Sequence, residues 1–343
     1  MSSDTAQVGE RVAVTLGVQG GASPLELVDL AGWADELGYV GAYSEEANAT
    51  DAVTVLAAAT RTTSRMQLGT GIIPVFGRAP AVIAVEAATM QILSQGRFVL
   101  GLGASSEPIA TRWRGEPYVK PVTRLREYLE VLRRLLDGER VVYEGKTFSI
   151  GGFQVALELS FPPPIHVAAL GSRTLQIGGA LSDGVFLAFM TPQRVREAAD
   201  QVAAAARGAG RDPAEVDVAG RLLVMIDEPD DASRRYVQRL LAFYLSSEVY
   251  RNSFNRQGFE HHIAEFHARW EAGDRAGAAT GLPDELLDVA AIRGSADEVR
   301  ARVDEYRAAG MTTPMIYPQT TATDPDERVE RMRATLAALA PGR

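Results

Sequence analysis

Hydrophobic and polar positions alternate along this chain with two different periods. Short apolar runs, typical of buried strands, are separated by longer segments in which apolar side chains recur every three or four residues. Residues 11–18 predict a first strand, and residues 24–37 predict a helix that ends at Gly38. A strand followed by a helix, repeated many times, predicts parallel strands covered by helices.

The same pattern predicts eight strands in all. Seven further predicted strands lie at residues 39–43, 66–73, 98–102, 165–169, 184–187, 216–226 and 313–317. Predicted helices follow at residues 50–64, 80–93, 122–137, 174–181, 192–209, 296–309 and 326–339. Eight strands in this alternation favour one (β/α)8 TIM-barrel domain over residues 1–343, with a doubly wound open sheet as the alternative architecture.

The strand–helix rhythm is interrupted twice, so we expect insertions after strands 4 and 7. After the fourth strand, residues 104–118 resemble a loop, and residues 143–159 predict a hairpin or excursion. After the seventh strand, residues 227–290 predict a mainly helical insertion. This second insertion is interpreted either as a lid over a pocket or as an external helical subdomain or dimer surface.

Composition and charge exclude several functional classes. The chain has no cysteine, which excludes disulfides, cysteine–zinc sites, iron–sulfur clusters and a cysteine nucleophile. Its net charge of −9 argues against broad electrostatic binding of nucleic acid. Residues 1–10 are polar without a signal-peptide core, and no long apolar run exists, so we expect a cytoplasmic protein with no membrane partner. The four histidines show no chelating pattern, so no metal is expected.

Acidic side chains follow the second predicted strand, where a barrel places functional groups. Ser44, Glu45 and Glu46 stand at this strand end. Two carboxylates there suit a general acid or base, or the binding of a polar substrate. The alternative is a solvated helix N-terminus, where the helix dipole favours acids.

Small residues end the third and fourth strands. Gly71, before Ile72, suggests a bulge or a close approach of a ligand to the backbone, or alternatively a barrel corner that needs small residues. Ala104 and Ser105 follow the fourth strand and leave room for a ligand, unless they belong to an ordinary helix cap.

A possible anion-binding turn follows the fifth strand. Gly171, Ser172 and Arg173 lead into a predicted helix, where free backbone N–H groups and one positive charge suit a phosphate. A tight strand–helix turn explains the same residues. The chain contains no nucleophile elbow, no P-loop and no complete dinucleotide-binding glycine motif, so those mechanisms are unsupported.

The long segment 68–106, LGTGIIPVFGRAPAVIAVEAATMQILSQGRFVLGLGASS, resembles the luciferase-like F420-dependent oxidoreductases, a group that includes methylenetetrahydromethanopterin reductase. The resemblance continues through residues 43–58, 167–186 and 293–318 and covers nearly the whole chain. It implies a (β/α)8 barrel, commonly a homodimer, with the deazaflavin coenzyme F420 across the C-terminal mouth of the barrel.

The resemblance also implies how the backbone holds the cofactor. A non-prolyl cis peptide would lie at Gly71–Ile72 and support one face of the deazaflavin ring. The cofactor phosphate would bind at Gly171, Ser172 and Arg173.

Around the reactive ring edge, the resemblance places Ser44 and Glu45, with Ala104 and Ser105 along the cofactor tail. Glu45 matches an acidic position common in relatives and is the first candidate for handling a proton; Glu46 is the second. Both are therefore predicted catalytic residues.

The chain departs from its relatives at the predicted substrate pocket. Many relatives have histidine at the position of Glu46, the sugar-phosphate dehydrogenases have glutamate at Ser106, and others have a His-Gly pair near Arg114 and Gly115. We therefore expect hydride transfer between F420H2 and an organic small molecule or modified peptide, by reduction of a C=C, C=N or C=O group, without identifying the substrate. The alternatives are an FMN-dependent luciferase-like monooxygenase and a non-catalytic ligand-binding barrel.

Overall fold

Eight parallel strands close into a barrel in the computed structural model, which describes residues 11–17, 21–228 and 230–342. The barrel strands are β1 (Ala13–Leu16), β2 (Gly41–Ser44), β3 (Gln67–Thr70), β5 (Phe98–Gly103), β8 (Ile165–Ala168), β9 (Gly184–Ala188), β10 (Asp217–Ile226) and β12 (Thr313–Pro318). Closure is made by β1 and β12, with Ala13 opposite Met315. The TIM barrel is confirmed, and the doubly wound alternative is wrong because the barrel strands leave no open edge.

Helices follow the barrel strands as predicted. They are α1 (Pro24–Glu36), α2 (Ala52–Ala59), α3 (Pro80–Leu93), α4 (Pro121–Leu136), α5 (Ser172–Leu181), α6 (Pro192–Gly208), α12 (Ala296–Ala308) and α13 (Pro325–Ala338). Local sequence fixes many of the starts: a capping box between Ser23 and Glu26 begins α1, and proline occupies the first turn of α3 and α6. Val18, predicted to end the first strand, and the polar residues 1–10 lie outside the described residues.

Both predicted interruptions contain regular structure. After β5, a π-helix at Ile109–Trp113 occupies the segment expected to be a loop, and an antiparallel hairpin of β6 (Val141–Glu144) and β7 (Ser149–Phe153) follows α4. After β10, five helices lie over residues 230–290: α7 (Asp230–Leu245), α8 (Glu248–Asn255), α9 (Glu260–Glu271), α10 (Arg275–Thr280) and α11 (Asp284–Ala290). Two short strands, β4 (Ile73–Pro74) and β11 (Ile292–Gly294), are too brief for a periodic pattern to predict.

The helices α7 to α11 pack against the C-terminal end of the barrel. Their apolar side chains share one buried cluster with Phe189, Leu223, Met225 and Tyr317, which come from the ends of β9, β10 and β12. The insertion therefore lies beside the mouth, where the strands present their carboxyl ends. Within the described ranges, no helix has the length and apolar character needed to cross a membrane.

Asp35, near the end of α1, joins that helix to the segment that enters β3. Its buried carboxylate accepts hydrogen bonds from the backbone N–H groups of Ser64 at 2.9 Å, Arg65 at 3.2 Å and Met66 at 2.8 Å. Burial opposes ionisation, but these backbone donors outweigh it and hold the pKa of Asp35 below its usual value.

We predict that Asp35→Asn lowers the free energy of unfolding at pH 7 by about 1–3 kcal/mol, because the three amides lose a charged acceptor. The pKa of Asp35 is lower in the folded chain than in the unfolded chain, where it is about 3.9. Ionised Asp35 therefore stabilises the fold fully above about pH 3.9, and this contribution is lost as the pH falls through the pKa of the folded state. Urea unfolding should therefore show the difference from wild type shrinking below about pH 4. Asp29→Asn, an exposed position on the same helix, is the control and should have little effect; equal losses for both variants would contradict the assignment.

Candidate active site

Glu45 lies immediately after β2 and is held by side chains from two other barrel strands. Its Oε1 accepts a hydrogen bond from the guanidinium of Arg221 on β10, and its Oε2 accepts one from the Tyr317 hydroxyl on β12 at 2.9 Å. The side chains of Glu45 and Arg221 are 14% and 16% exposed, so the ion pair is largely removed from water. Two donors from different strands on one carboxylate fix its orientation.

Aromatic side chains surround the Arg221 guanidinium. Its Nη2 donates to the Tyr244 hydroxyl at 3.2 Å, and its central carbon lies 5.2 Å from the Phe189 ring centroid and 5.7 Å from that of Tyr317. Burial alone would lower the pKa of Arg221, but Tyr244 and Glu45 outweigh it and raise that pKa above its usual value. The guanidinium is therefore a permanent cation inside an aromatic wall.

The phenols near this pair stay protonated. Burial is the main cause of the raised pKa of Tyr317, Tyr236 and Tyr250, and the negative charge of Glu45 adds to it in all three. Protonated phenols can donate hydrogen bonds but carry no negative charge. The polar groups around Glu45 thus consist of one cation and several neutral donors.

Glu46 has a different environment from its neighbour. Its carboxylate accepts hydrogen bonds from Arg78 at 2.6 Å and from Arg114 at 2.9 Å, and its side chain is 6% exposed. Arg78 also pairs with Asp51, the N-cap of α2. This arrangement favours a role in anchoring the loops around β2, while the predicted proton-handling role of Glu46 stays a prediction.

The turn between β3 and β4 contains the expected backbone feature. The peptide bond Gly71–Ile72 is cis, which confirms that prediction. The Ile72 side chain packs on Gly103 at the end of β5, where an added Cβ would approach Ile72 Cδ1 to 2.7 Å. Ala104 and Ser105 follow β5 directly and are half-buried. The Ser105 carbonyl accepts a hydrogen bond from the Tyr118 hydroxyl at 3.0 Å. The structure thus brings these backbone segments together at the mouth.

The predicted anion turn lies at the N-terminus of α5. Gly171 is the N-cap residue, and Ser172 and Arg173 are exposed in the first turn. The structure adds Arg256, which follows α8: a Cβ on Gly171 would lie 3.7 Å from the Arg256 guanidinium. Two cationic side chains from distant parts of the chain therefore accompany the backbone N–H groups of this turn.

Sequence reasoning missed Gly17, Arg221, Tyr317 and Arg256. An added Cβ on Gly17 would overlap the Tyr317 hydroxyl and the Glu45 carboxylate, so glycine after β1 makes room for their contact. An arginine within the apolar run of β10 was a usable signal for Arg221, because a charged residue inside a barrel strand needs a partner. No local pattern marks Arg256, which reaches the turn only through the fold.

The described residues contain no group of three or more histidine, aspartate, glutamate or cysteine side chains placed to hold a metal ion. What the mouth offers is an oriented carboxylate, neutral donors, aromatic surface and an anion turn. Such a set suits a polar organic substrate beside an anionic cofactor.

Comparison with known proteins gives consistent results. The family described as luciferase-like monooxygenase matches residues 8–313. A Mycobacterium tuberculosis protein provisionally named coenzyme F420-dependent oxidoreductase Rv3520c is 27% identical over 89% of this chain and 94% of its own length. The 5,10-methylenetetrahydromethanopterin reductase of Archaeoglobus fulgidus is 29% identical over 76% of this chain and 78% of its own length.

A solved structure shows the same fold. The coenzyme F420-dependent tetrahydromethanopterin reductase from Methanopyrus kandleri superposes with a TM-score of 0.77 at 24% identity, covering 94% of this chain and 97% of that one.

We predict that Arg221→Met lowers the free energy of unfolding by about 3 kcal/mol, because it leaves Glu45 charged, largely buried and without its cation. The double variant Arg221→Met with Glu45→Gln should recover most of that loss. Urea unfolding of these two variants and of Glu45→Gln alone, each against wild type, measures this coupling.

The matched control is Arg126→Met, which breaks an ion pair with Glu130 on the exposed face of α4. We expect that loss to stay below about 1 kcal/mol. If the two arginine variants were equally stable, the Glu45–Arg221 pair would not be the structural centre of the mouth.

Proposed function

Because this chain belongs to the luciferase-like monooxygenase family, a family of oxidoreductases, we propose that it is an F420-dependent oxidoreductase. The proposed reaction transfers a hydride between F420H2 and an organic substrate with a C=C, C=N or C=O group, in the cytoplasm. The observation that carries the proposal is the Glu45 carboxylate, held by Arg221 and Tyr317 at the C-terminal mouth. Two relatives named for F420 or for a pterin reductase support the choice of cofactor.

The residues present at the mouth fit this cofactor. Gly171 has no side chain, so its Cβ position beside the Arg256 guanidinium is free for an anion, and Ser172 and Arg173 add donors from α5. These residues would hold the cofactor phosphate, and Ser105 would adjoin its tail. When bound, F420 supplies a carrier of two electrons as hydride.

The chain's own residues would orient the substrate and exchange the accompanying proton. Glu45, kept in one orientation by Arg221 and Tyr317, accepts a hydrogen bond from a substrate hydroxyl or amine and can take up or return a proton at that atom. The protonated phenol of Tyr317 donates a hydrogen bond that fixes the carboxylate and adds no second negative charge beside it. Helices α7 to α11 cover one side of the mouth and limit the access of water.

Homodimer formation is part of the same proposal. Helix α3 exposes Val82, Val85 and Ile92 along one face, with 48%, 42% and 49% of their surfaces accessible. Three large apolar side chains on one exposed helix face suit a protein interface.

We predict that the wild-type chain elutes at the mass of a dimer in size-exclusion chromatography with light scattering. Val85→Asp combined with Ile92→Asp should convert it to a monomer, because charges would be buried in the interface. Val142→Asp, an exposed apolar position on β6, is the control and should leave the dimer intact. A wild-type monomer would contradict this part of the proposal.

We predict that F420 binds the purified chain with micromolar or tighter affinity in a fluorescence titration. Gly171→Leu should weaken binding at least tenfold, because its side chain would fill the space beside Arg256 where the phosphate is expected. Gly208→Leu, at the end of α6 where an added Cβ meets no atom within 4 Å, is the control.

The same titration is run with FMN. Preference for FMN would support the monooxygenase alternative, whereas binding of neither cofactor would favour the non-catalytic barrel.

We predict that Glu45→Gln lowers kcat by about 10²-fold or more while the affinity for F420 stays within twofold, because an amide cannot exchange the proton. Steady-state oxidation of F420H2 with a responsive carbonyl or alkene substrate provides kcat, and the titration provides affinity. Glu46→Gln tests the second candidate: an equal loss of kcat with unchanged stability would assign the proton transfer to Glu46 instead.

A further inference from the structure

Two half-exposed aromatic side chains meet between the two interruptions of the barrel. Trp113 ends the π-helix after β5, and Phe243 lies on α7 after β10. Their ring centroids are 6.4 Å apart and their planes differ by 21°, while 46% and 49% of their surfaces remain accessible. We call this pair the aromatic clasp.

Each half of the aromatic clasp is joined to one of the two acids after β2. Phe243 is followed by Tyr244, whose hydroxyl accepts from Arg221, the partner of Glu45. On the other side, the residue after Trp113 is Arg114, which donates to the neighbouring acid Glu46 at 2.9 Å. Both clasp residues are thus linked, through the residue that follows each in sequence, to the two glutamates after β2. The clasp therefore belongs to the same mouth as the candidate active site.

Aromatic contacts continue from the aromatic clasp toward Arg221. The ring of Phe243 lies 5.6 Å from that of Tyr244, which in turn lies 4.6 Å from Phe189 and 4.8 Å from Tyr250. Arg221 lies over the Phe189 ring. Phe189 and Tyr244 are buried, so these rings connect the exposed clasp to the residues that surround Arg221.

We propose that Trp113 and Phe243 determine specificity for substrates whose body is a planar aromatic ring system. This inference rests on the proposed function, because it names the substrate class of that same mouth. Two large aromatic side chains gain little stability while half of their surface faces water. A flat ring stacked on them buries that surface and adds an aromatic contact, which a saturated skeleton of the same size does not make.

The test uses two probes with the same carbon skeleton and hydroxyl group. 2-Naphthol is flat, whereas decahydro-2-naphthol is saturated and puckered. Equilibrium dialysis measures the binding of each to the purified chain, both with F420 and without it. We expect 2-naphthol to bind about tenfold more tightly than the saturated probe, since it alone can stack on the two rings. Its hydroxyl is also more acidic, and the leucine variants separate that contribution from stacking because they change only the rings.

Trp113→Leu and Phe243→Leu keep an apolar side chain but remove its π face. Each should weaken 2-naphthol binding about three- to tenfold and leave decahydro-2-naphthol binding unchanged. Phe161→Leu is the matched control, because Phe161 is a similarly exposed phenylalanine. It lies in the segment before β8 and packs on Gly96, in the segment before β5, at the opposite end of the barrel. It should change neither affinity.

Equal wild-type affinity for the two probes would overturn the inference, as would leucine variants that leave 2-naphthol binding unchanged or that weaken both probes alike. F420 affinity is measured separately on the same variants and should be unaltered. If F420 failed to bind while the wild-type chain still preferred 2-naphthol and the leucine variants lost that preference, the proposed function would fall and the aromatic site would stand.

Discussion

The mouth of this barrel is organised around a carboxylate that is largely buried and must be compensated. Glu45 follows β2, but its donors come from β10 and β12, near the other end of the chain. These three strands meet only because β12 pairs with β1 and closes the sheet. Closure of the barrel and assembly of the site are therefore the same event, and an open sheet of the same strands would leave Glu45 without its cation.

Adjacent acids at one strand end have separate roles because their side chains meet different partners. Glu45 contacts strands of the barrel, which are rigid and set its orientation. Glu46 instead binds Arg78 and Arg114, which belong to the connections after β3 and β5. The first set of contacts fixes the carboxylate that we propose as the proton-handling group, and the second fixes the loops around it.

The architecture and the backbone of the mouth could be predicted from sequence, whereas the side-chain partners could not. The period of apolar residues gave the strands and helices, and the resemblance gave the cis bond at Gly71–Ile72. Those features are local in the chain. Arg221 and Arg256 act through contacts with Glu45 and Gly171 that span long sequence separations, and a single sequence does not reveal which distant residues meet.

The contrast between local backbone features and distant side chains also distinguishes the proposed cofactor site from the proposed substrate site. The groups that we propose for the cofactor are mostly backbone and small residues, such as Gly171 and Ser105. The surface that we propose for the substrate is made of large side chains from the two interruptions, including Trp113 and Phe243. Exchanging those side chains alters the shape of the entrance without moving the barrel strands. Substrate preference can therefore change while the barrel stays the same, so likeness of fold does not by itself identify the substrate.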